Sequence, residues 1–220
     1  MRKNFLIGCL LASMPMAALA GEGNRIDLLQ NATGGEGNTL SVDQANASNS
    51  LVAGNPLDFS LALQDRSPAQ QIGDGNTASL TLSGDGTGFF LEQGQTSDPA
   101  FGNEAIAVIA GLNGLGGIRQ SGSDNEADLS LTADGASGLI VQDGRSNRAG
   151  LTIDGLNASG ELRQIGNDNE NFMTVSGAGA SVVFTQQGNG LVNSQSAGGV
   201  QVFTNANSVS ITQTAAGFAP

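Results

Sequence analysis

Six glutamines, Gln71, Gln93, Gln120, Gln142, Gln164 and Gln186, stand at intervals of 22, 27, 22, 22 and 22 residues. Asparagines follow the first five at a matching place: Asn76, Asn103, Asn125, Asn147 and Asn169. A primary amide neither titrates near neutrality nor attacks a carbonyl. It carries two N–H donors and a carbonyl acceptor on one flat group, so the partner it fits best is another amide. Placed at the ~4.7 Å spacing of neighbouring strands, identical amides bond up and down a stack. Such a ladder demands parallel strands in register, because any other register leaves buried amides unpaired.

The remaining side chains offer little for catalysis. Beyond residue 20 there is no His, Cys, Lys or Tyr, so nucleophilic or proton-transfer chemistry would fall to carboxylates, Ser or Thr. No cofactor, metal or small-molecule substrate is expected.

The elements that would position the amides can be read outward from each Gln. Two residues before it stand Ala69, Leu91, Ile118, Ile140, Leu162 and Phe184. Beyond Asn, alternate positions are Ala78, Leu80, Leu82; Ala105, Ala107, Ile109; Ala127, Leu129, Leu131; Ala149, Leu151, Ile153; and Asn171, Met173, Val175. A period of two means strand, with the amides on the apolar face. Between Gln and Asn lies a glycine turn, at Gly73, Gly122, Gly144, Gly166 and Gly188. Each unit therefore reads strand, turn, strand, return turn, the last as in "ADG" (133–135) or "DGLN" (154–157). The longer interval after Gln93 is a five-residue insertion. In the sixth unit the Asn equivalent is expected at Asn193. The expected fold is all-β, a parallel β-solenoid with two strands per 22-residue rung and cross-β stacking.

Periodicity and composition divide the chain. Residues 1–20 read as a secretory signal peptide: Arg2 and Lys3, a short apolar core, then "ALA" ahead of a cleavage after Ala20. "LIGC" at Cys9 comes too early for a lipidated cysteine. Residues 21–64 read as degenerate N-terminal rungs, 65–199 as six repeats, and 200–220 as a degenerate C-terminal rung. By alternation alone, the runs holding Gln30, Gln44 and Gln213 resemble the second strand of a unit, and "LDFSLAL" (57–63) is a further strand candidate. The whole chain carries a net charge of −12; without residues 1–20 it keeps six Arg against 20 acids. Such a surface repels nucleic acid and anionic lipid. Losing the only cysteine with the signal leaves no disulfide.

Gln-x-Gly-x-x-Asn-x-Ala between alternating strands, clearest in "QIGDGNTA", "QSGSDNEA" and "QDGRSNRA", resembles the curlin repeat. Curlins are the subunits of curli, an extracellular functional amyloid of bacterial biofilms. The family pattern has a second Gln six residues after Asn, where the central units carry Leu82, Ile109, Leu131, Ile153 and Val175. The resemblance implies a secreted, cell-surface fibre subunit that self-associates, exported through a dedicated outer-membrane pore and nucleated by a partner subunit. It implies neither enzyme activity nor binding of nucleic acid.

Three other readings compete. A polysaccharide-active enzyme on a parallel β-helix would use rungs of about this length, but that fold uses three strands per rung where two are visible. A calcium-loaded repeat would need a nine-residue glycine-aspartate repeat that is absent; Asp-Gly here simply makes turns. An ice-binding face would need ranked threonines, and Thr81, Ser130, Thr152 and Thr174 form one file interrupted by Val108.

Overall fold

A computed structural model of the chain describes residues 21–32, 37–57, 66–94, 101–193, 199–204 and 208–215. The signal-peptide reading of 1–20 and most of the strand candidate at 57–63 lie outside these residues. The described elements are all strands. They are β1 (Arg25–Ile26), β2 (Leu28–Asn31), β3 (Thr39–Asp43), β4 (Leu51–Ala53), β5 (Ala69–Ile72), β6 (Thr77–Leu82), β7 (Gly88–Gly94), β8 (Glu104–Ile109) and β9 (Leu115–Ser123). Then come β10 (Glu126–Leu131), β11 (Ser137–Arg145), β12 (Arg148–Ile153), β13 (Ser159–Ile165), β14 (Glu170–Val175), β15 (Ser181–Gln187), β16 (Val192–Asn193), β17 (Val200–Val202) and β18 (Val209–Thr214).

The strands form two sheets, and every pairing is parallel. One runs β1-β4-β7-β9-β11-β13-β15-β18, with β2 and β5 joining beside β7; the other runs β16-β14-β12-β10-β8-β6-β3, with β17 on β14. Through the centre, partners are equivalent residues of successive units: Gln120 faces Gln142 and Gln142 faces Gln164 in the first sheet. In the second, Leu129 faces Leu151, and Leu151 faces Met173.

The core lies between the sheets. The apolar columns flanking the amides are buried throughout, from Ala69 to Phe184 in the first sheet and from Leu80 to Met173 in the second. One inward column has no apolar signature. Four residues before Gln stand Phe89, Gly116, Gly138, Gly160 and Val182, paired in register. A Cβ on Gly138 would lie 2.7 Å from Leu129 Cδ1 and 2.9 Å from Leu131 Cδ2. These glycines make room for the long side chains of the facing sheet, a packing match between large and small residues.

Two expectations near the ends are corrected. Gln30 faces Gln71 and Gln213 faces Gln186, so both belong to the first sheet, in the anchor column, and not to a second strand. Alternation shows which face a residue takes but not which sheet its strand joins. Insertions hide the spacing here. Residues 54–68 separate β4 from β5, which continue the same strand path along β7. Part of this insertion covers the outer face of the sheet: the Arg66 guanidinium sits 3.5 Å over the Phe90 ring, and its Nη1 donates to Asn55 O at 3.1 Å. Phe90, Leu51 and Ala53 are thereby buried as a small second core.

The other correction concerns Asn193, which faces Asn171. The residue at the Asn169 position is Leu191, reached from Gln186 by the ordinary five steps. The extra residues come later, between Asn193 and Val200, because Val200 faces Met173.

Candidate functional site: two amide ladders

The buried amides are the polar centre of the molecule. Gln71, Gln93, Gln120, Gln142, Gln164 and Gln186, with Asn76, Asn103, Asn125, Asn147 and Asn169, are each at most 1% exposed. The geometry brings them together in two files, one at the end of each first-sheet strand and one at the start of each second-sheet strand.

In the Gln file each Nε2 donates toward the C-terminal end of the stack. Gln30 donates to Gln71 Oε1 at 2.6 Å, Gln71 to Gln93 at 2.8 Å and Gln93 to Gln120 at 2.9 Å. Gln120 donates to Gln142 at 3.0 Å, Gln142 to Gln164 and Gln164 to Gln186 at 2.9 Å, and Gln186 to Gln213 at 3.1 Å. The same nitrogens reach across the corner: Gln142 Nε2 lies 2.9 Å from both Glu126 O and Asn147 O. Each glutamine thus joins its neighbour in the stack and ties the first sheet to the second.

The Asn file runs the other way. Asn76 Nδ2 donates to Asn38 Oδ1, Asn103 to Asn76 and Asn169 to Asn147, each at 3.1 Å. Asn125 donates to Asn103 at 2.9 Å and Asn147 to Asn125 at 3.0 Å. The amide dipoles of the two files therefore oppose one another. The Asn file stops at Leu191, whose backbone N donates to Asn169 Oδ1 at 3.0 Å but whose side chain can pass nothing on.

The turn glycines serve the Asn file. Gly122, Gly144, Gly166 and Gly188 offer their carbonyls to the Nδ2 of Asn103, Asn125, Asn147 and Asn169 at 2.8–3.0 Å. They adopt φ of 106°, 132°, 117° and 136°, and Gly73 has φ of 98°. L side chains rarely take that conformation, and a Cβ on Gly122 would overlap Gly144 O.

Asn38 heads the Asn file, as the first residue of the second-strand run that ends at Gln44. One feature lay outside the sequence expectations. Asn171 is fully buried with neither amide atom hydrogen-bonded. It occupies a column that is otherwise Ala78, Ala105, Ala127 and Ala149, with Asn193 next in line.

On the outer face of the second sheet, Glu104, Glu126, Arg148 and Glu170 stand in file. Arg148 Nη2 approaches Glu126 Oε1 at 3.1 Å and its guanidinium lies 5.5 Å from the Phe172 ring centre. Beside them a shallow groove is lined by Ile106, Val108, Asp128, Ser130, Thr152 and Phe172. Burial pushes the Asp128 carboxyl above its ordinary value; Arg148 opposes that shift and Glu104 adds to it. Compared with protein-family models, curated proteins and solved structures, the chain matches none.

Proposed function

We propose that the chain is a curlin-like structural subunit of a secreted, extracellular fibre of the kind that serves adhesion and biofilm matrix. In this reading it is a β-solenoid of two strands per 22-residue rung, which extends by adding further copies at its ends. The carrying observation is the in-register Gln file, unbroken from Gln30 to Gln213. A file of this kind gains a bond with each rung added and has no internal reason to stop.

The ends support the reading. Gln30 uses its Nε2 within the chain, leaving Oε1 to accept from a rung above; Gln213 uses its Oε1 and leaves Nε2 to donate to a rung below. Apolar side chains are exposed near the first-sheet start and the second-sheet end, with Leu29 at 49% and Val192 at 55%. Among the described residues, β1, β2 and β18 are edge strands of the first sheet, and an uncovered edge recruits further strands. The head of one copy thus complements the tail of the next. Export by a signal peptide and an outer-membrane pore, and nucleation by a partner subunit, complete the role that the curlin resemblance suggests.

The test is to purify the chain from Gly21 onward and follow thioflavin fluorescence, then fibre diffraction. The expected result is growth after a lag and a meridional reflection near ~4.7 Å. A chain that stays monomeric for weeks at high concentration overturns the proposal.

A further inference from the structure

The 22-residue step is shared by all central units, yet successive units are not alike. Along the αL corner of the return turn the column runs Gly23, Asn49, Gly86, Asn113, Gly135, Asn157, Gly179, all with φ between 52° and 80°. Backbone bonds place them in one file: Asn113 N donates to Asp85 O, Gly135 N to Leu112 O, Asn157 N to Asp134 O and Gly179 N to Leu156 O, each at 2.8–2.9 Å. Glycine and asparagine alternate. A Cβ on Gly86 would lie 2.6 Å from Asn113 Oδ1, and Cβ atoms on Gly23 and Gly135 would overlap Asn49 and Asn157 Oδ1 in the same way. The asparagine of one unit fills the space left by the glycine of the unit before it.

From the Gln120 unit onward charges follow the same alternation; before it, Glu104 directly faces Glu126. Arg119 and Arg163 are separated by Val141. Glu126 and Glu170 are separated by Arg148. Asp124 and Asp168 are separated by Ser146, whose hydroxyl donates to Asp124 Oδ2 at 2.9 Å and whose backbone N and Asp168 N continue the file. The intervening unit thus doubles the distance between like charges, from one strand spacing to two, and brings it near the screening length of physiological salt.

We propose that the working unit of this chain is a 44-residue pair of unlike turns, and that its alternation fixes which units may lie next to each other. The amide files and apolar columns cannot do this, since they are nearly identical from one unit to the next. A shift by one unit leaves both files intact. It also sets Arg119 on Arg163, Asp124 on Asp168, Glu126 on Glu170 and Asn113 on Asn157. Like charges directly opposed across neighbouring strands are unfavourable, and two asparagines cannot both occupy the space one glycine leaves. A shift by two units creates none of these four contacts.

Two deletions in the chain from Gly21 separate the cases. Removing residues 133–154 takes out one unit and creates all four like-on-like contacts. Removing 111–154 takes out two units and sets the Gln93 unit on the Gln164 unit: Glu92 meets Arg163 as it meets Arg119 now, and Gly86 meets Asn157 as it meets Asn113. Gln and Asn files stay in register in both. Thermal and urea unfolding are expected to show the 44-residue deletion more stable than the 22-residue deletion, although it loses twice as many residues, with the gap narrowing in high salt. Stability falling in step with the number of units removed overturns the proposal. Should both deletions fail to fold, the full chain decides with Val141→Arg and Val141→Gln. The first should melt clearly lower at low salt and recover as salt rises; equal, salt-independent melting of the two overturns the proposal. None of these readouts needs fibre formation, so they stand apart from the test of assembly.

Discussion

Gln142 donates from Nε2 to Oε1 of Gln164, 22 residues further on, at 2.9 Å in a fully buried position. The same group accepts from Gln120 and reaches two backbone carbonyls at the corner between the sheets. Its value comes from context: an unpaired amide at this depth costs more than the paired one contributes.

Gln142→Ala should therefore strand the Oε1 of Gln164, while Gln120 Nε2 keeps the carbonyls of Glu104 and Asn125, and destabilise the chain by about 1–3 kcal/mol. Arg163→Ala removes an ion pair with Glu161 in which the arginine side chain is 43% exposed, and should cost far less. Urea midpoints of the two variants make the comparison. Equal losses would mean that the amide file adds nothing beyond ordinary surface contacts.

The amide file was legible because Gln recurs at a fixed step inside strands of period two. Its two outermost members were not. Gln30 and Gln213 carry the right alternation, but insertions at 54–68 and between Asn193 and Val200 break the count that would have assigned them to a sheet. Asn193 misleads for a related reason: Leu191 keeps the spacing and loses the amide, so the nearest asparagine draws the eye to the wrong place. The glycine column of Gly116, Gly138 and Gly160 is hidden more deeply. Glycine in a sequence signals a turn, and nothing local reveals that it is needed where Leu129, Leu131 and Ile153 cross from the facing sheet.

That column yields a second prediction. Gly138→Ala improves strand propensity by about 0.5–1 kcal/mol but forces a methyl against Leu129 and Leu131, and overpacking of this kind costs about 1–3 kcal/mol. The variant should be less stable than the parent. Combining it with Leu129→Ala, which opens the space, should cost less than the two single changes added together. Strict additivity in a double-mutant cycle would show that the leucines step aside freely.

Asn171 tests the converse of the ladder argument. Both its amide atoms are buried without a partner, where its column neighbours are alanines. Asn171→Ala should raise stability, by up to about 1–3 kcal/mol, the usual cost of a buried unsatisfied group. A lower melting temperature would mean that the volume of the side chain matters more than its missing bonds.

Asp128 carries the pH dependence that can be assigned to one residue. Burial in the groove beside Ile106 and Phe172 raises its folded-state pKa, with Glu104 adding and Arg148 opposing. For an acid the sign follows directly. Above the raised pKa the folded chain holds an anion that the unfolded chain would solvate better, so ionised Asp128 weakens the fold at neutral pH. As pH falls through the folded pKa toward the unfolded one, the folded state takes up its proton first and the penalty disappears. Asp128→Asn removes the charge at every pH. It should melt higher than the parent at pH 7, and the difference should shrink steadily as the pH approaches the ordinary carboxylate range. Arg148→Gln withdraws the positive charge that favours the anion, and should carry a larger neutral-pH penalty than the parent. The measurement is the melting temperature of the three chains at fixed ionic strength from pH 4 to 8. A gap between parent and Asp128→Asn that widens on acidification would mean that the carboxylate stabilises the folded chain, through Arg148, more than burial penalises it.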